Sequence, residues 1–74
     1  MKWIYEDLFR EIDTIELILN YYEVSTGKRK LPPREKLLER FTEDEKYELN
    51  DKAIHLTQFK YLKLKRLLVE LRSE

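Results

Sequence analysis

The most sustained apolar rhythm in the chain runs through its second half. Leu49, Ala53, Leu56, Leu64, Leu67 and Leu71 fall on one stripe at helical spacing. Beside it, Tyr47, Ile54, Tyr61 and Leu68 recur at every seventh position. Leu64 and Leu71 take the matching second seam positions, but Asn50 and Thr57 take the earlier ones. The seam is therefore apolar toward its C-terminal end and mixed toward its N-terminal end. Lys60 interrupts the first stripe, where its stem can lie on apolar surface while its ammonium reaches water. Phe59, Leu62 and Val69 add apolar area on a further side.

This run has a well-marked start. Thr42 is a good N-cap residue, and Glu45 three positions later completes a capping box. Glu43, Asp44 and Glu45 favour the positive end of the helix dipole, and Lys63, Lys65, Arg66 and Arg72 favour the other. No Gly or Pro follows Pro33. The pattern predicts one helix over 43–72, about 45 Å long at ~1.5 Å per residue. That is long for a domain of this size.

A second rhythm occupies the N-terminal third. Met1, Ile4, Tyr5, Leu8, Ile12, Ile15, Leu19 and Tyr22 follow the i, i+3, i+4 spacing, widened by Phe9, and predict a helix over 2–24. Leu17, Ile18, Tyr21 and Val24 lie on a different side, joined by Trp3 near the start. The C-terminal half of this helix is thus apolar nearly all round, and one partner helix cannot cover it. Either a short second helix folds over the remaining side, or another chain does.

The connection is a loop over 25–32. Gly27, the only glycine, stands where a left-handed residue ends a helix, and Lys28-Arg29-Lys30 makes a basic loop. Leu31 precedes Pro32 and should be extended; Pro33 suits a first helical turn. A short helix over 33–41 follows, with Leu37, Leu38 and Phe41 as its contacts. The expected fold is all-α and a single domain over 1–74. It is a long antiparallel helical hairpin with a short linking helix, three helices in all. Its two long helices carry more apolar face than one hairpin hides, so an oligomeric bundle is expected.

Composition narrows the chemistry. Seventy-four residues allow one small core, which buries a limited share of its surface. No cysteine is present, which excludes disulfides and thiolate zinc sites. The low Gly, Ala, Asn and Gln content with many charges leans toward a thermophilic source. No apolar run is long enough to span a membrane, and Glu6 and Asp7 sit where a signal peptide would be apolar, so a cytoplasmic location is expected.

Charge cancels overall, at 15 bases and 15 acids, but it is blocked along the chain. Residues 1–24 and 41–54 are acidic; residues 25–40 and 55–74 are basic. The acidic first helix and the basic end of the chain are complementary, which biases pairing while apolar faces drive it.

Candidate chemistry is sparse. His55, Asp51 and Glu48 share one helix side, a partial metal-ligand set that reads better as a solvated face. One histidine with no supporting motif gives no catalytic triad, so no catalytic residue, metal site or cofactor is expected and the chain reads as a non-enzyme. Lys28, Arg29, Lys30 and Arg34 form a possible phosphate-binding group, and Lys60, Lys63, Lys65 and Arg66 a second basic patch. Against nucleic acid stand the neutral balance and the length of the 43–72 run, since a helix-turn-helix needs a shorter recognition helix.

The candidate partner or oligomer interface is Trp3, Leu17, Ile18, Tyr21, Tyr47, Ile54, Tyr61 and Leu68, chosen because aromatics are enriched at interfaces. The expected function is a small non-enzymatic protein-protein interaction protein. It would be a regulator or inhibitor acting through helix surfaces as a homodimer or larger assembly, of prokaryotic or viral type. A nucleic-acid-binding regulator using the basic loop 28–40 is the alternative, and a structural assembly subunit the third reading.

Overall fold

The computed structural model describes the backbone of residues 2–73 and the side chains of residues 10–73. Among them are four helices and no strand: α1 (Lys2–Ser25), α2 (Glu35–Leu38), α3 (Glu43–Ile54) and α4 (Gln58–Ser73). The other three pack on α1. Arg10 pairs with Glu45, Leu17 clusters with Leu49, and Ala53 joins Leu19 and Tyr22, so α3 runs along α1 in the same direction. Tyr61 stacks on Tyr22, with ring centroids 4.4 Å apart, and Arg72 reaches back to Glu16, so α4 returns in the opposite direction.

The helix expected over 43–72 is therefore two helices, and the hairpin of helix one against one long rod is replaced by α3 and α4 meeting α1 separately. The break falls at His55–Thr57 without Gly or Pro. The His55 ring lies over the end of α3, its Nδ1 2.9 Å from the Asp51 carbonyl oxygen. Leu56 packs partly into the core, and the Thr57 hydroxyl accepts from the Lys60 N–H, capping α4. A straight rod would overshoot α1 at both ends; the turn instead lets two segments bury apolar faces on the same helix.

The turn also resets the helical phase. On the line of every seventh residue, Tyr47 and Ile54 are 75% and 59% exposed, whereas Tyr61 and Leu68 are 3% and 7% exposed. In α3 it is Leu49 and Ala53 that face inward.

Among the described side chains of α1, most of the wide apolar face is covered within the chain, Val24 at its end staying exposed. Ile15, Leu19 and Tyr22 pack with Ala53, Tyr61 and Leu68 in one cluster, while Leu17, fully buried, packs with Leu37, Phe41 and Leu49 in another. The linking segment thus folds over the side of α1 that α4 leaves open. Its helix is shorter than the expected 33–41. Arg34 keeps an extended backbone and offers no side-chain cap, and Pro33 is buried ahead of the helix rather than inside it. Leu37 and Phe41 hold this segment, rather than local helix propensity.

Gly27 ends the α1 connection as its position implied. Its φ of 79° is in the left-handed region, and the Arg29 N–H turns back to the Glu23 carbonyl at 3.0 Å. At the other junction Thr42 and Glu45 exchange both capping-box hydrogen bonds. The Thr42 N–H and the Arg10 guanidinium hold the Glu45 carboxyl below its ordinary range.

The charge blocks meet only in part by sign: acidic α1 takes bases from the linking segment and from Arg72, yet it also packs along the acidic α3. Asp13 takes Arg40 at 2.8 Å; Glu16 takes Arg72 at 2.8 Å and Arg34 at 3.2 Å. These bonds lie at the surface and orient segments more than they stabilise them.

Candidate interaction surface

Eight residues were expected at an interface, and the fold divides them. Leu17, Tyr61 and Leu68 are core residues of this chain and cannot present their side chains to a partner. The reason is the turn at 55–57 for Tyr61 and Leu68, and the cover from Leu37 and Phe41 for Leu17. Ile18 and Tyr21 are half-buried against both clusters. Tyr47 and Ile54 stand on the outside of α3, and Trp3 lies outside the residues whose side chains are described.

Tyr47 borders a cleft of about 580 Å³ with Tyr21, Leu38, Asp44 and Asn50. Burial raises the Tyr21 hydroxyl pKa above its ordinary value. The outer surface of α4 supplies a second apolar strip. Phe59 is 66% exposed, and Leu62 and Val69 are exposed at helical spacing from it. Phe59, Leu62, Lys63 and Arg66 line a groove of about 380 Å³, in which the Lys63 ammonium sits 4.5 Å from the Phe59 ring centroid. These α4 residues were visible in sequence as apolar area on a further side, yet they were not expected at the interface. They lie on the side of α4 turned away from its inward set, Tyr61, Leu64, Leu68 and Leu71.

Of the basic group, Lys28, Lys30 and Arg34 are exposed and Arg29 is half-buried; Arg34 bonds Glu16, the Arg29 Nε donates to the Leu31 carbonyl at 3.0 Å, and Lys28 lies 5.9 Å from the Tyr61 ring. By contrast, no carboxylate among the described residues pairs with Lys60, Lys63, Lys65 or Arg66.

Among the described residues, the one partly buried side-chain hydrogen bond between distant segments joins Tyr61 to Glu23, the hydroxyl donating to the carboxylate at 2.6 Å. Burial first, and the carboxylate second, push the Tyr61 hydroxyl up to about 12. It is a neutral, stationary donor that ties α4 to α1. His55 is exposed, 3.8 Å from the Asp51 carboxylate, and among the described residues no three His, Cys, Asp or Glu side chains are placed to hold a metal. No described helix is long and apolar enough to cross a membrane.

Compared with protein-family models, with curated proteins and with solved structures, the chain matches none.

Proposed function

We propose that this chain is a non-enzymatic interaction protein, a regulator or inhibitor that works through helix surfaces and associates with copies of itself. The observation that supports this reading is that, among the described residues, five of the eight exposed large apolar side chains fall on two outer helix faces, with Val24, Leu31 and Leu67 lying apart from them. Tyr47 and Ile54 form one strip on α3, and Phe59, Leu62 and Val69 form another on α4. Scattered exposed apolar residues need no explanation, but strips at helical spacing opposite a formed core mark contact faces. Sedimentation velocity over a wide concentration range tests it: mass should rise with concentration toward a defined oligomer. A monomer at every concentration overturns self-association.

A second reading is supported by the break at His55–Thr57. It leaves α4 at 16 residues, which removes the length objection to a recognition helix, and its Lys60, Lys63 and Arg66 are exposed. On this reading the nucleic-acid surface would be α4 rather than the loop 28–40. The neutral overall charge still weighs against it. A gel shift with duplex DNA that weakens steeply with salt, and is lost on neutralising Lys60, Lys63 and Arg66, would favour this reading.

A further inference from the structure

The two outer strips carry opposite charge. Around Tyr47 and Ile54, at helical spacing on the same side, α3 carries Glu43, Asp44 and Asp51; of its two bases, Lys46 lines the same cleft and pairs with Glu43, while Lys52 projects from another side, which leaves the face acidic. Around Phe59, Leu62 and Val69, α4 carries Lys63 and Arg66, with Glu70 as the one acid of the helix. Glu43 is partly neutralised by Lys46 at 2.6 Å, but Asp44 has no basic partner among the described residues, and Asp51 meets only His55. Two α3 faces brought together would repel, as would two α4 faces, whereas α3 against α4 places acids on bases.

The apolar spacing agrees. Tyr47 to Ile54 and Leu62 to Val69 each cover seven residues, two helical turns. Setting Tyr47 and Ile54 antiparallel against Leu62 and Val69 brings Asp51 and Arg66 to the same flank of the contact, about one residue apart in level, between two apolar contacts. The ion pair would then be flanked by apolar cover and shielded from water, where a charge pair counts for more than on open surface.

We infer that the acidic outer face of α3 docks on the basic outer face of α4 in a second copy of this chain, with Asp51 facing Arg66. The inference rests on the self-association proposed above and names its contact. Because α3 and α4 sit in one molecule, each copy offers both halves of the contact, so two copies are sufficient to begin an assembly.

A charge swap tests it. Asp51→Arg and Arg66→Asp are made separately; both positions are exposed, and thermal melting should show each chain folded. Each variant alone opposes like charges, and sedimentation velocity should show self-association weakened by about tenfold or more. Mixing the two variants pairs Arg at 51 with Asp at 66, and Asp51 with Arg66, so association should return to the wild-type level. Should either chain prove unfolded, Leu62→Gln, another exposed position, carries the test through the apolar contact and should weaken association by about tenfold.

Wild-type self-association unaffected by the single changes, or not restored by mixing, overturns this pairing while leaving an oligomer formed elsewhere. A wild-type chain that stays monomeric overturns the pairing and self-association together. A monomer that instead binds duplex DNA or a synthetic acidic amphipathic peptide through Lys63 and Arg66 assigns the α4 face to that occupant.

Discussion

Tyr47 and Ile54 differ from Tyr61 and Leu68 in almost nothing that a sequence displays. Each pair is an aromatic followed seven positions later by an aliphatic residue, and all four lie on one line of the presumed helix. Yet the first pair faces outward and the second forms core. The difference is set by three residues between them, His55, Leu56 and Thr57, which end one helix and start another. A change of phase at a turn converts one apolar line into a core segment and a contact surface.

Truncation breaks the comparison most forcefully. Leu68→Ala should destabilise by about 3 kcal/mol, with Leu17→Ala similar, because each leaves a cavity in a packed cluster. Ile54→Ala should cost no more than about 0.5 kcal/mol at concentrations where the chain is dissociated. Urea melts at low protein concentration measure all three. Equal losses at 54 and 68 would place both on the same face.

Tyr61→Phe should remove about 1.5 kcal/mol, since the lost hydrogen bond ends on a carboxylate. The counterpart Tyr47→Phe, on an exposed ring, should be nearly silent. The pH dependence sharpens the contrast. The Tyr61 hydroxyl has its pKa raised from 10.0 to about 12, so its folded form holds the proton more tightly than the unfolded chain does. Its contribution is complete below pH 10 and is lost as pH rises through about 12. Stability measured against pH should fall across that window in the wild type, and less steeply in the Phe variant.

Smaller effects belong to the junctions. Thr42→Ala and Thr57→Ala should each cost about 1 kcal/mol, because each hydroxyl accepts from a first-turn N–H. Gly27→Ala should cost about 1 kcal/mol through its left-handed backbone alone, as no atom stands within 4 Å of an added Cβ. Thermal melts resolve changes of this size, at roughly 4–8 °C per kcal/mol for a domain of this length.

Much of the fold was legible. The first helix, the capping box at Thr42, the reversal at Gly27 and the attraction between acidic and basic blocks all follow from local residue chemistry. The circumferential apolar pattern of α1 correctly required more than one neighbour, and α2, α3 and α4 are those neighbours within the chain. The turn at 55–57 was not legible from helix breakers, because it uses none. Three weaker signals marked it: a helix too long for its domain, a seam whose quality changed along its length, and Thr57, a second good N-cap residue inside an apolar run.

The exposed surfaces are least legible for the same reason. Read as one rod, the chain sets Tyr61 and Leu68 on the line of Tyr47 and Ile54 and puts Phe59, Leu62 and Val69 on another side. Helical phase is cumulative, so an interruption of three residues misplaces every residue after it. The specific partners of the basic residues were not legible either, because the carboxylates that Arg34 and Arg40 meet, Glu16 and Asp13, lie far away in sequence.

The turn on which these conclusions rest can be tested by a distance. The chain has no cysteine, so spin labels can be placed at Asp44→Cys and Ser73→Cys, both exposed, and the labelled protein diluted with unlabelled chain. Glu45 meets Arg10 and Arg72 meets Glu16, six residues apart on α1, so pulsed electron–electron resonance should give a separation below about 30 Å. A distance near 43 Å, about 29 residues of unbroken helix, would contradict the account.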